Sequence, residues 1–161
     1  GFSKMPGEAF VDPRDDNLGW RQYFLGSRYP EGITILDQKK LDKIRVMHCI
    51  PETDVELIRD KTFILEAGFE RISGVSFTKG CYIGQEVTAR MRHKTNLQKG
   101  LVKVKLDSRN GDLVDEISFD GKVVGTIFTR VEDHAIAYLK FKYEELTLTA
   151  GDAKVQIISR F

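Results

Sequence analysis

The alternation of apolar and polar residues after residue 97 constrains the fold of this chain more than any other feature. Apolar side chains alternate with polar ones in six short stretches, at residues 101–106, 117–119, 123–127, 135–141, 146–148 and 155–157. Turn sequences separate these stretches, namely Asn110-Gly111-Asp112, Asp120-Gly121-Lys122, Glu132-Asp133-His134 and Ala150-Gly151-Asp152. Period two is typical of strands with one buried face, and such turns join antiparallel neighbours. The sequence therefore predicts an all-β antiparallel barrel of about six strands.

The first 95 residues follow a different pattern and predict an α+β segment. Residues 8–25 have the pattern strand, turn, strand, and residues 38–50 have helical spacing that Pro51 terminates. A lone hairpin is marginally stable and exposes two edges, so we expect residues 8–25 to join strands from elsewhere. The sequence predicts irregular chain with one helical turn over residues 54–77. We place the domain boundary near residue 95, with an incomplete α+β segment at 1–95 and the barrel at 96–161.

A second helix is predicted after the segment Lys79-Gly80-Cys81-Tyr82-Ile83-Gly84-Gln85-Glu86. The helix begins after Gly84 and carries Glu86 early and arginines late, which matches the polarity of the helix dipole. Cys81 then lies just before the helix, between two glycines and behind Lys79. These surroundings favour a reactive thiolate. The alternative is a buried structural cysteine, because free cysteine is among the most buried residue types.

The remaining candidates for chemistry are weaker. His48 and Cys49 supply two metal ligands at most, fewer than a structural zinc site requires, so we interpret His48 as structural. Glu86 is either an acid or base or a residue that stabilises the helix start. Two cysteines without a CxxC pair favour a reducing compartment. The apolar runs are too short to span a bilayer, and the first residues do not resemble a signal peptide.

The net charge of +1 predicts no global attraction to nucleic acid or membranes, but one region is locally basic. Between residues 79 and 105 the only acidic residue is Glu86, whereas seven residues are basic: Lys79, Arg90, Arg92, Lys94, Lys99, Lys103 and Lys105. This cluster would suit a polyanion, such as a polyglutamylated folate, RNA or an acidic partner surface. The alternative is a solvated helix face followed by an outward-facing strand face.

The segment from Lys79 to Glu86 resembles the signature of the YgfZ family, whose usual form is Lys-Gly-Cys-Tyr-x-Gly-Gln-Glu. Every fixed position matches. Further segments resemble the family in the expected order: Asp12-Pro13-Arg14, Leu18-Gly19-Trp20-Arg21, Ile50-Pro51-Glu52 and Val75-Ser76-Phe77. The resemblance is to the second half of proteins about twice this length. His48-Cys49 departs from the small residue and glycine that the family usually has.

The resemblance implies a folate-binding relative of the glycine-cleavage T-protein that assists iron–sulfur enzymes and holds tetrahydrofolate in the full-length protein. It implies Cys81 and Lys79 as catalytic residues and no bound metal, with folate or partner binding assigned to Tyr82, Gly84, Gln85, Glu86 and Arg90. Its partners would be folate and iron–sulfur enzymes or assembly proteins, in a bacterial cytoplasm or a mitochondrial matrix. Cys81 argues against an aminomethyltransferase, because T-proteins typically lack this cysteine. That enzyme and an RNA-binding barrel module remain the alternatives.

Overall fold

The computed structural model describes residues 8–23, 32, 36–94, 97–107 and 113–160. The N-terminal part contains two short strands and two helices: β1 (Ala9–Val11), β2 (Trp20–Gln22), α1 (Gln38–His48) and α2 (Gln85–Lys94). The remainder contains β3 (Lys99–Asp107), β4 (Glu116–Phe119), β5 (Lys122–Val131), β6 (His134–Lys140), β7 (Leu148–Ala150) and β8 (Ala153–Arg160). None of the described helices has the length and apolar character needed to cross a bilayer.

Strands β3 to β8 form the predicted barrel. Their order is β3-β6-β5-β4-β7-β8, every pairing is antiparallel, and the sheet closes because β3 also pairs with β8. Asp120 and Gly121 form the turn between β4 and β5, with positive φ angles of 49° and 71°. Tight hairpin turns require such angles, and Asp-Gly adopts them readily. The predicted turn at Asn110-Gly111-Asp112 lies outside the described residues, as does the predicted domain boundary at residues 95–96.

Both faces of β3 and β6 are buried over part of their length. Inward side chains such as Val102 and Val104 fill the barrel, as period two predicts. Leu101 and Ile136 belong to a second buried cluster, in which they contact Val46 and Cys49 at the end of α1. The N-terminal segment therefore packs on the outside of the barrel over β5, β6 and β3.

The turn-rich chain before α2 is fixed to the barrel by Glu66. Its carbonyl oxygen accepts a hydrogen bond from the Leu101 N–H at 2.8 Å, and its carboxylate accepts one from the Tyr138 hydroxyl. A side chain at Gly100 would place its Cβ 2.7 Å from the Glu66 carbonyl oxygen, so the close approach requires glycine. Burial, and then the hydrogen bond to Glu66, raises the pKa of Tyr138. The segment around Glu66 is thus attached to β3 and β6.

Helix α1 ends two residues before the predicted Ile50. Cys49 adopts a left-handed conformation with φ of 49° and bonds back to the carbonyl oxygens of Arg45 and Val46. Asp37 begins the helix by accepting a hydrogen bond from the Lys40 N–H at 2.8 Å. This termination leaves Cys49 at a position where glycine is ordinarily preferred.

A buried ionic network joins α1 to the barrel. The Arg45 guanidinium, only 2% exposed, donates to the fully buried Glu56 carboxylate and to Asp42 at 2.8 Å. Glu56 also accepts hydrogen bonds from the Glu52 N–H at 2.9 Å and from the hydroxyl of Thr129 on β5. One carboxylate therefore satisfies donors from α1, from the following loop and from the barrel.

The hairpin of β1 and β2 is a two-stranded sheet, and no other described strand joins it. The expectation of further strands is therefore not met within the described ranges, and residues 24–25 lie outside them. Buried Asp12 holds the hairpin by accepting from Arg14 at 3.0 Å and from Arg21. Burial alone would raise the pKa of Asp12, but hydrogen bonds from these arginines outweigh burial and lower its pKa.

Candidate functional site

The predicted thiol lies on an exposed loop, residues 78–84, directly before α2. Cys81 is exposed, Tyr82 is about half exposed, and Ile83 is wholly exposed. A buried structural cysteine is therefore excluded at this position. The loop presents the sulfur to solvent beside an aromatic and an aliphatic side chain, which is an arrangement suited to contact with another molecule rather than to core packing.

Three of the residues predicted to bind folate or a partner have local roles at the start of α2. Gln85 accepts a hydrogen bond from the Tyr82 N–H through its side-chain oxygen and donates its own N–H to the Tyr82 carbonyl, each at 3.3 Å. Gly84 has a φ of 88°, a conformation that glycine adopts without strain. Glu86 lies in the first turn, where a negative charge is favourable. Their predicted binding roles remain predictions.

Lys79 and Arg90 are both exposed, and neither has an ion-pair partner within the part of the chain that the structure describes. Lys79 shares the loop with Cys81, whereas Arg90 lies on the exposed surface of α2. All predicted site residues thus occupy one continuous stretch, residues 79–90.

Much of the larger basic cluster is engaged in local contacts. Four of its members are engaged locally: Arg92 with Glu70 at 3.1 Å, Lys99 with Glu66 at 3.9 Å, Lys103 with the Met47 carbonyl at 3.0 Å and Lys105 with Asp133 at 3.5 Å. The side chain of Lys94 lies outside the described residues. These local pairs favour the interpretation as a solvated helix and strand face over a polyanion site.

The structure adds residues that the sequence did not identify. The Arg92 guanidinium lies 3.7 Å from the centroid of the Phe77 ring and 3.1 Å from the Glu70 carboxylate. In the sequence, Arg92 stands out only as a member of the basic cluster and Phe77 only as part of a segment that resembles the YgfZ family. No local pattern relates residues so far apart, so only the fold reveals this contact.

The two cysteines differ sharply in environment. Cys49 is buried beside Val46 and Ala67, and burial raises the pKa of its thiol to about 12, although the charge of Arg71 opposes the rise. We therefore expect a mild alkylating agent to modify Cys81 before Cys49, because only Cys81 is accessible. Mass spectrometry after limited labelling measures the order. Equal rates for the two thiols would contradict the structure.

Within the described ranges, no group of three or more His, Cys, Asp and Glu side chains is arranged to hold a metal ion. His48 does not act with Cys49, since its Nδ1 lies 3.0 Å from an Asp15 carboxylate oxygen and Cys49 is buried. This contact joins the end of α1 to the hairpin. The structural interpretation of His48 is therefore supported.

An open cleft of about 920 Å³ lies on the barrel between β3, β8 and residues 144–147. Its charged lining is mixed, with Lys105 and Lys154 facing acidic residues such as Asp133 and Glu145. None of the predicted site residues lines it. The cleft and the exposed thiol are thus separate features of the molecule.

Comparison with known proteins finds similarity in both parts of the chain. Residues 98–159 match the family model described as the CAF17 C-terminal beta-barrel domain. Mitochondrial iron–sulfur cluster assembly factor IBA57 of Mus musculus is 40% identical over 99 residues, which is 60% of this chain and 27% of that protein. Its Homo sapiens counterpart is 36% identical over 96 residues, 58% of this chain and 27% of that protein.

A homologue of the same assembly factor in Neosartorya fischeri is 39% identical over 66 residues, 41% of this chain and 15% of that protein. The chain thus matches about a quarter or less of the length of these curated relatives. Its closed barrel is similar to the C-terminal domain of CAF17, and up to 60% of the chain is similar to proteins named as iron–sulfur cluster assembly factors.

Proposed function

We propose that this chain is the C-terminal part of an accessory protein for the assembly or repair of iron–sulfur enzymes, with Cys81 as its functional thiol. The observation that carries the proposal is the exposure of Cys81 on a loop whose residues match every fixed position of the YgfZ signature. The names of its relatives, iron–sulfur cluster assembly factors, support the same conclusion.

The chemistry of the site fits this role. A thiolate is the form of cysteine that binds iron and reacts with sulfur species, and the exposed loop lets it reach a cluster carried by another protein. Iron–sulfur clusters usually take about four protein ligands. Cys81 is the one exposed cysteine of the chain, because Cys49 is buried. The cluster is therefore cargo that Cys81 contacts while other proteins supply the remaining ligands.

The finer parts of the proposal rest on the resemblance. Tetrahydrofolate is the cofactor that we propose for the full-length protein, within a T-protein-like arrangement of which this chain is the second half. We propose the mitochondrial matrix as its location, because the relatives are named as mitochondrial. Calorimetry of the full-length protein with tetrahydrofolate tests the cofactor.

The alternatives have less support. An RNA-binding module would need a continuous basic surface, and four of the seven cations in the basic cluster are engaged locally. An aminomethyltransferase would need no thiol at position 81. Folate turnover with methylamine donors would favour that enzyme, and a steep salt dependence of RNA affinity would favour the RNA module.

The proposal is tested in cells depleted of the full-length protein. We expect the activities of cluster-dependent enzymes to fall on depletion and to recover when the protein is restored. The activity of a cluster-free enzyme of the same compartment should not change. Enzyme activity normalised to the amount of each enzyme is the measurement. Equal loss in both classes of enzyme would count against a role in cluster assembly.

A further inference from the structure

We propose that Arg92 is a positioning residue that closes the thiol-bearing loop, residues 78–84. The proposal rests on the proposed function, because the loop matters only if Cys81 does. The loop begins after Phe77 and ends at α2, and Arg92 lies about two turns into that helix. Its guanidinium contacts the Phe77 ring at 3.7 Å, so the residue on one side of the loop is held by the helix on the other side.

The loop's other hydrogen bonds in the described chain are short-range. The hydroxyls of Ser76 and Thr78 lie 3.1 Å apart, and Tyr82 bonds with Gln85 at 3.3 Å. These contacts join residues two or three positions apart. They shape each end of the loop but do not join one end to the other, whereas the contact of Arg92 with Phe77 does.

The Phe77 side of this contact is attached to the barrel. The N–H groups of Gly74 and Val75 donate to the Phe69 carbonyl at 2.7 and 3.1 Å, and Phe69 packs against the cluster that contains Ala67 and Leu101. Glu70, the second partner of Arg92, belongs to the same segment. Arg92 therefore fixes α2 and the loop relative to a segment that the barrel already holds.

The contact is partly exposed, with Arg92 39% and Glu70 56% accessible. Its loss should therefore free the loop without unfolding the barrel. A guanidinium that lies over an aromatic ring and pairs with a carboxylate contributes enough free energy to shift the equilibrium between the ordered and the free loop by about three- to tenfold. With the loop freed, the thiol would sample more orientations, and productive encounters with the cluster would fall by a similar factor.

A nitroxide spin label attached to Cys81 of the full-length protein by limited labelling measures this order directly, because Cys49 is buried. We expect Arg92→Ala to increase the mobile component of the label spectrum while the thermal midpoint is unchanged. Arg92→Lys keeps the charge opposite Glu70 but loses the planar stack, so its spectrum should be intermediate. Phe77→Leu, which removes the ring face and keeps apolar bulk, should resemble Arg92→Ala.

The matched control is Arg59→Ala, because Arg59 is an almost fully exposed arginine whose ion pair is with its neighbour Asp60. Its label spectrum should equal that of the unsubstituted protein. A spectrum of Arg92→Ala that matches this control would overturn the proposal. The proposal would also be overturned if both Arg92→Ala and Phe77→Leu lowered the thermal midpoint as well as the order of the label. The contact would then stabilise the fold as a whole rather than position the loop.

A second experiment tests the positioning role and the proposed function separately. It measures how far each variant restores the activity of cluster-dependent enzymes in depleted cells. We expect unlabelled Arg92→Ala to reduce restoration by about three- to tenfold and Arg92→Lys to recover part of it. Full restoration by Arg92→Ala alongside failure by Cys81→Ser would overturn the positioning role alone. Full restoration by Cys81→Ser would overturn the proposed function, whereas the label spectra would still report on the contact.

Discussion

Replacing Cys81 with serine in the full-length protein is expected to abolish support of cluster-dependent enzymes and to leave the thermal midpoint of unfolding unchanged. Serine is close in size but far less acidic than cysteine, so the substitution removes the thiolate. The Cys81 side chain is exposed and contributes no core packing, so its loss should cost little stability. Enzyme activity in depleted cells and thermal unfolding of the purified protein measure the two effects.

Cys49→Ser is the matched control for this substitution. Cys49 is buried among apolar side chains, where an unpaired hydroxyl costs about 1–3 kcal/mol. We expect its thermal midpoint to fall and activity to be lost only in proportion to the protein lost. The reverse pattern, with Cys81→Ser less stable and still active, would show that Cys81 is structural.

Glu56→Ala is expected to destabilise the protein by about 3 kcal/mol, at the low end of the range for breaking a buried ion pair, because the buried Arg45 loses one of its three carboxylate partners. The Arg45 guanidinium would keep Asp42 at 2.8 Å but lose its buried carboxylate. Thr129 on β5 would lose its acceptor as well. A loss of this size is a large part of the stability of an ordinary domain. Equilibrium denaturant unfolding measures it.

Glu132→Ala provides the comparison, since Glu132 also pairs with α1, through Lys43 at 2.8 Å, but both side chains are exposed. Exposed pairs contribute about 0–1 kcal/mol. The two substitutions therefore remove carboxylates that connect the same helix to the barrel and differ in burial. Equal losses for both variants would show that burial of Glu56 adds nothing to the network.

The barrel could be predicted because its information is local. Period two and the turn sequences act over a few residues, and Asp120-Gly121 specifies its own hairpin geometry. The end of α1 was predicted less well. Pro51 suggested a helix as far as Ile50, yet the left-handed conformation of Cys49 ends it at His48. A cysteine gives no local signal for that conformation, in contrast to glycine.

The candidate site was also predicted only in part. The helix after Gly84 follows from that glycine and from the charge order of a short segment, whereas the sequence left open whether Cys81 is exposed or buried. The contacts of the basic cluster were not predictable, because three of its members pair with acidic residues that are distant in sequence: Arg92 with Glu70, Lys99 with Glu66 and Lys105 with Asp133. The contact of Arg92 with Phe77 depends on how α2 returns to the preceding segment, which no periodicity encodes.

Closure of the barrel determines how other proteins can engage it. A closed sheet has no free row of backbone donors and acceptors, so a partner cannot extend it by adding a strand. Recognition of the barrel must therefore use side chains, such as those of the cleft beside β3 and β8. Among the described residues, unpaired strand edges belong to the hairpin of β1 and β2. Within the described ranges, that hairpin is thus the part of the molecule to which another strand could add.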